Sequence, residues 1–274
     1  MCKVIKMELF RLKKSMYAYV ILGTLLLMVI FGTFIDGSNS SDKSMRNETQ
    51  KNNIELYVDN YDENYNTNYA NKYEMLTSAF SGNIVPMALL IFSGLFSGAY
   101  RKHKFDKNII GLIRKRSNLI YANAIICGLY NLVVIFVTLG ASYIGYILFY
   151  PHFTNIIVGD TGKFMSYITT YYLLLFSVSI MMSCFVYIVK NQIVAIIIGL
   201  IYGSGIVYGI FDYITSSIGM KNFSLKTYLP LANIYELSMN TTNMYKSSIL
   251  IAVFFALLAL FINIFFYNKE DIAS

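Results

Sequence analysis

Apolar runs of about 20 residues, the length a helix needs to cross a hydrocarbon core of about 30 Å, recur along this chain and decide what it can fold into. A segment in lipid must satisfy its own backbone groups, so runs of this kind are read as helices. Six are predicted: Met16 to Phe34, Met75 to Gly98, Leu119 to Tyr150, Phe164 to Val189, Ile193 to Tyr213 and Ser247 to Tyr267. The longest polar stretch, Asp36 to Glu74, is rich in Tyr and Asn and poor in branched apolar residues, which suits an external loop and not an independent core. Composition agrees, since a chain of 274 residues that is 56% hydrophobic and 14% charged has too little polar surface to solvate a globule. The expected fold is all-α: one polytopic transmembrane domain over residues 1–274 with six transmembrane helices and an N-terminal interfacial helix.

That interfacial helix is read from Met1 to Ser15, where Ile5, Leu9, Leu12 and Met16 fall at helical spacing while Lys3, Lys6, Lys13 and Lys14 lie off the stripe. Such a pattern places apolar side chains at the acyl boundary and lysines at the headgroups; a cytoplasmic extension of the first span is the alternative. A basic stretch that runs into a long apolar span with no small-residue cleavage site is expected to stay attached. Gly82 and Pro86 interrupt the second span, and the third is long enough to tilt or break. Only Lys190, Asn191 and Gln192 separate the fourth and fifth spans, which therefore form an antiparallel hairpin. A polar connection containing Pro230 leads to the sixth span.

Orientation follows the distribution of Lys and Arg. Lys3, Lys6, Arg11, Lys13 and Lys14, then Arg101, Lys102, Lys104, Lys107, Arg114, Lys115 and Arg116, then Lys190 and Lys269 fall on one side. The other side holds fewer, spread over longer loops. Both termini and the segment 100–118 are thus expected in the cytoplasm of a multi-pass cell-membrane protein. The formal charge of +7 clusters beside apolar spans, so membrane lipid and not nucleic acid is the expected partner of these cations.

Little in the spans suggests catalysis. Ionisable groups inside a membrane are costly and conspicuous, yet Asp212 lies at the end of a span, and His103 and His152 fall on opposite sides. Cys2, Cys127 and Cys184 have no metal-ligand spacing. No catalytic or metal-binding residue is therefore assigned. No phosphate-binding loop is present, because Gly162 and Lys163 are followed by Phe164, so nucleotide energy would have to come from a partner. Small residues at Gly94 and Gly98, and at Gly199, Gly203, Gly205 and Gly209, allow close helix approach, within one chain or in a dimer.

The segment from His103 to Asn118 is the most informative. As a helix it places Phe105, Ile109, Leu112 and Ile113 on one face, with Lys104, Lys107, Arg114 and Lys115 on its flank or opposite side. A positive-inside loop would account for the charge but not for the apolar face, which suits docking to a partner or to the interface. An interfacial basic helix before the first span, a large external loop after it and a basic amphipathic segment between spans two and three together resemble a type-2 ATP-binding-cassette exporter permease. In that family the segment after the second span commonly runs from an aromatic or acidic residue through a short turn and Lys-Asn-Ile or Lys-Asn-Leu to a basic residue. Phe105, Asp106, Lys107, Asn108, Ile109, Ile110 and Arg116 are similar, although Asp106 stands where many members carry a Gly-Thr turn. The resemblance implies that Phe105, Asp106, Lys107, Asn108, Ile109, Leu112 and Ile113 couple to a separate ATPase subunit, which would hold ATP and Mg, with no cofactor in this chain. It also implies that the Pro230 connection corresponds to short external helices, that the permease works as a homodimer or with a second permease, and that the cargo is an antimicrobial or amphipathic peptide or other apolar molecule. A membrane sensor or interaction protein with a tyrosine-rich external loop, or an ion-coupled secondary transporter, is the alternative reading of the same residues.

Overall fold

The computed structural model describes residues 1–52, 71–102, 117–150, 153–189, 191–217, 225–240 and 244–269. Every regular element among them is helical. In chain order these are α1 (Cys2–Lys14), α2 (Met16–Asn52), α3 (Lys72–Ser78), α4 (Ile84–Lys102), α5 (Ser117–Phe149), α6 (Thr161–Val189), α7 (Gln192–Gly203), α8 (Ile206–Ser217), α9 (Pro230–Glu236) and α10 (Met244–Lys269), with single 3-10 turns at Phe153–Asn155 and Leu225–Tyr228.

Among the described residues, four apolar stretches are long enough to cross a bilayer: Met16–Ser38, Ser117–Phe149, Thr161–Val189 and Met244–Tyr267. The chain is thus an all-α protein of membrane-spanning character. The 33 residues of α5 extend about 50 Å, more than the hydrocarbon core requires. Ile84–Ala99 and Gln192–Gly203 are apolar but shorter, and the physical reason lies at two breaks. The predicted second span is divided by turns at Ala79 to Asn83, so that Met75 belongs to α3 and the continuous apolar helix starts at Ile84. The predicted fifth span is divided at Ser204 and Gly205; Gly205 has φ of 80°, a left-handed conformation that ends α7 and that glycine adopts without steric penalty. The external loop predicted from Asp36 begins as helix, because α2 continues unbroken to Asn52.

Packing separates the central helices from the peripheral ones. More than half of the spanning windows of α5 and α6 is buried, 56% and 61%, against 22% for α2 and α10, so α5 and α6 form the middle of the bundle. α2 meets α5 along one line of Ala18, Ile21, Leu25, Val29, Thr33 and Gly37, spaced about one turn apart. A Cβ on Gly37 would overlap the Phe149 carbonyl, which is why the two backbones can approach there. α10 lies along α6 through Ala252, Ala256 and Ala259, facing Ile180 and Cys184; small residues permit the close approach that membrane helices use in place of a hydrophobic driving force. Its other side, with Leu250, Phe254, Leu257 and Phe261 exposed, suits lipid.

At the end of the bundle where α7 breaks, α9 turns back into the protein. Pro230 occupies its first position, where its missing N–H is not needed, and Leu231, Ala232, Asn233 and Ile234 are buried. Asn233 donates through Nδ2 to Thr227 O (2.8 Å) and Leu229 O (2.9 Å) and accepts from Ser248 Oγ of α10 (3.0 Å). Tyr235 donates to Gly203 O at 2.5 Å, satisfying a carbonyl at the end of α7. Burial, followed by the nearby Tyr202 phenol, pushes the Tyr235 hydroxyl up to about 12, so it remains a donor at neutral pH.

Candidate functional site at the basic end of the bundle

The first helix is fastened to the bundle by a charge pair on its inner face. Val4, Glu8 and Ser15 are buried and Arg11 half-buried on that face, one helical turn apart or nearly so. Glu8, only 1% exposed, pairs with Arg11 at 3.2 Å. Arg11 Nη2 in turn donates to Phe96 O of α4 at 2.7 Å, and its guanidinium lies 3.9 Å from the centroid of the Phe96 ring. Planar stacking together with a directed N–H bond is a combination that Arg supplies and Lys does not. Phe96 continues into a stack with Phe92 (5.4 Å), Phe92 stacks on Tyr130 of α5 (3.5 Å), and the Tyr130 hydroxyl donates to Ala18 O of α2 at 2.9 Å. One connected set of side chains therefore joins α1, α4, α5 and α2.

This differs from the stripe expected for α1. Ile5 and Leu12 are half-buried, but Leu9 and Met16 are 49% and 80% exposed. The inner face carries an ion pair, and the outer face carries the exposed apolar side chains. Reading the sequence did not single out Glu8. The available signal was its position, four residues after Val4 and three before Arg11, where a carboxylate and a guanidinium reach one another.

Above the pair, the apolar interior of the bundle also holds buried polar side chains, none of them charged among the described residues. Ser97 Oγ and Ser183 Oγ are 2.7 Å apart, and Asn123 Nδ2 donates to Ser97 Oγ at 3.0 Å and to Ser183 Oγ at 3.4 Å, tying α4, α5 and α6 together. About two turns along α5, Asn131 Nδ2 donates to Ser179 Oγ (3.1 Å) and Ser179 Oγ donates to Asn131 Oδ1 (3.2 Å) in the alternative hydroxyl orientation. All five side chains are buried, and buried polar groups in lipid must find partners of this kind. At the other end of the bundle, Tyr146 donates to Asp36 Oδ2 at 3.0 Å and lies 2.9 Å from Ser78 Oγ, linking α2, α3 and α5.

The glycines predicted to allow close packing divide into two groups. A Cβ on Gly94 would meet Ile196 Cγ1 at 2.8 Å, one on Gly199 would meet Met182 Sδ at 2.6 Å, one on Gly203 would meet Leu90 Cδ1 at 2.8 Å, and one on Gly98 would overlap Gln192. These four sit at the contacts of α4, α6 and α7 within one chain. Gly205 forms the break before α8, and Gly209 has nothing within 4 Å of a Cβ position. Phe105, Asp106, Lys107, Asn108, Ile109, Leu112 and Ile113 lie outside the described residues; α4 leads into that segment at Lys102 and α5 emerges from it at Ser117.

No protein-family model matches this chain, and no curated protein does either. Among the described residues, no group of three or more His, Cys, Asp or Glu side chains is arranged to hold a metal ion. The arrangement offers a mechanical connection: α1 is fixed to α4 shortly before α4 enters the basic segment, and α5 packs against both α1 and α4.

Proposed function

We propose that this chain is the permease subunit of an ATP-driven exporter, carrying an antimicrobial or amphipathic peptide or another apolar cargo across the cell membrane. The observation that carries the reading is the bond from Arg11 to the Phe96 carbonyl, because it fixes an amphipathic helix to the helix that precedes the basic segment 100–118. A movement of that segment, driven by an ATPase bound to it, would be passed to α4, α5 and α1 together. In this reading Phe105, Asp106, Lys107, Asn108, Ile109, Leu112 and Ile113 dock on the ATPase, which holds ATP and Mg.

Six crossings follow if α3 and α4 share one and α7 and α8 share another, with α2, α5, α6 and α10 supplying the rest. Both termini then lie in the cytoplasm, as the positive-inside distribution favours, and α9 lies at the outer side. The interior supports an apolar or amphipathic cargo over a small ion, since the carboxylates within the described crossings, Asp36 and Asp212, lie toward their ends and none stands midway as a proton relay. A homodimer or a pairing with a second permease would complete the pathway.

The test is recovery of partners from native membranes. An ATP-binding-cassette ATPase should copurify with the detergent-extracted protein and be lost after Phe105→Ala and Ile109→Ala. A preparation without an ATPase would overturn the reading, and transport that follows an ion gradient and not ATP would replace it with a secondary transporter.

A further inference from the structure

The outward face of α1 has a chemistry of its own. Lys6, Leu9 and Lys13 step along it at i, i+3 and i+7, and Lys3, Phe10 and Lys14 at i, i+7 and i+11, so they form two neighbouring ridges on the side away from Val4, Glu8 and Ser15. All four lysines are exposed. Leu9 and Phe10 are exposed between them, and the Lys14 ammonium lies 4.8 Å from the centroid of the Phe10 ring. The single carboxylate of the helix, Glu8, is turned inward and paired with Arg11. This face therefore presents four cations, two large apolar side chains and no acid.

Each half of that combination excludes a simpler surface. A face turned only to water has no use for exposed Leu9 and Phe10, whose contact with water costs free energy in proportion to their area. A face against neutral lipid has no use for four ammonium groups that no carboxylate among the described residues neutralises, since they gain from a negative surface and nothing comparable from a zwitterionic one. We propose that this face of α1 is a binding surface for anionic phospholipid headgroups, with Lys3, Lys6, Lys13 and Lys14 against the phosphates and Leu9 and Phe10 in the upper acyl layer. Because the opposite face is fixed to Phe96, the bound headgroups are held beside the ends of α4 and α5. The surface is independent of what the protein transports and would exist in a sensor as well as in an exporter.

The chain contains no tryptophan, which makes a direct test available. Phe10→Trp places one fluorophore on this face, and Phe254→Trp places one on the lipid side of α10, where Phe254 is 60% exposed. The full-length proteins are reconstituted in vesicles of equal parts phosphatidylglycerol and phosphatidylcholine, with brominated chains on one lipid or the other. At position 254 the two lipids should quench equally. At position 10 phosphatidylglycerol should be enriched about fivefold, the factor expected for one lysine near an anionic surface, and the excess should disappear at high salt. Replacing the four lysines by glutamine should return position 10 to the bulk ratio, while the same four substitutions in the Phe254→Trp protein should leave quenching at position 254 unchanged, which reports that the fold persists; the Lys6→Gln/Lys13→Gln pair should give an intermediate ratio. Equal quenching at position 10, an excess that survives the four substitutions, or no quenching by either lipid would overturn the proposal, the last by showing that water or protein covers this face.

Discussion

At the residue scale, Glu8 and Arg11 are the pair whose loss should be felt most. Removing one member of a buried pair leaves the other charge without compensation, at about 3–5 kcal/mol. Glu8→Gln is therefore expected to lower the detergent-state melting temperature, followed by helical circular dichroism, by more than any lysine substitution on the opposite face of α1. Glu8→Gln combined with Arg11→Met should recover much of the loss, since no unpaired charge remains. Asn131→Ala should cost less, about 0.6–1.7 kcal/mol, the range of interhelical hydrogen bonds in membranes. On α5 the sequence carries a signal that its reading left unused, the recurrence of Asn123, Cys127 and Asn131 one residue in four, while nothing in a single sequence tells which serines of α4 and α6 stand opposite. Glu8 was hidden for a different reason: among five basic residues in α1, one acid looks like an ordinary surface charge, and only its register with Val4 and Ser15 turns it inward.

The helices themselves were read with more success than their interruptions. Apolar runs announce α2, α5, α6 and α10 because hydropathy and length are summed over many residues, whereas a break needs only one backbone angle. Ser204 and Gly205 interrupt an apolar run without adding charge or proline, so the run reads as continuous although the backbone turns there. The resulting prediction contrasts two glycines four residues apart. Gly205→Ala forces a side chain into the left-handed region and should destabilise by about 1–2 kcal/mol, while Gly209→Ala, in open space within α8, should be neutral or stabilising by up to about 1 kcal/mol. Unfolding measured in one detergent for both variants checks the sign of each. Gly98→Ala belongs with the first, because its Cβ overlaps the stem of Gln192 and overpacking costs about 1–3 kcal/mol.

For the whole molecule, the topology is testable with membrane-impermeant thiol reagents on a background lacking Cys2, Cys127 and Cys184. A cysteine at Lys13 should label only after the cytoplasmic side is opened, and one at Tyr228, which is 57% exposed, should label in intact cells. The opposite pattern would invert the protein, and labelling of both from one side would remove the six-crossing arrangement. The re-entrant α9 also restricts how the chain can vary. Its two attachments are unlike: Asn233 meets a side chain, Ser248, whereas Tyr235 meets the main-chain oxygen of Gly203. A lineage that replaces Asn233 would be under pressure to change position 248 as well, so these two sites should drift together among descendants of this gene. The hydrogen bond at position 235 has no such side-chain companion, since every amino acid offers the same carbonyl at position 203, and its inheritance should be simpler: a hydroxyl of the same reach is retained, or the attachment is lost.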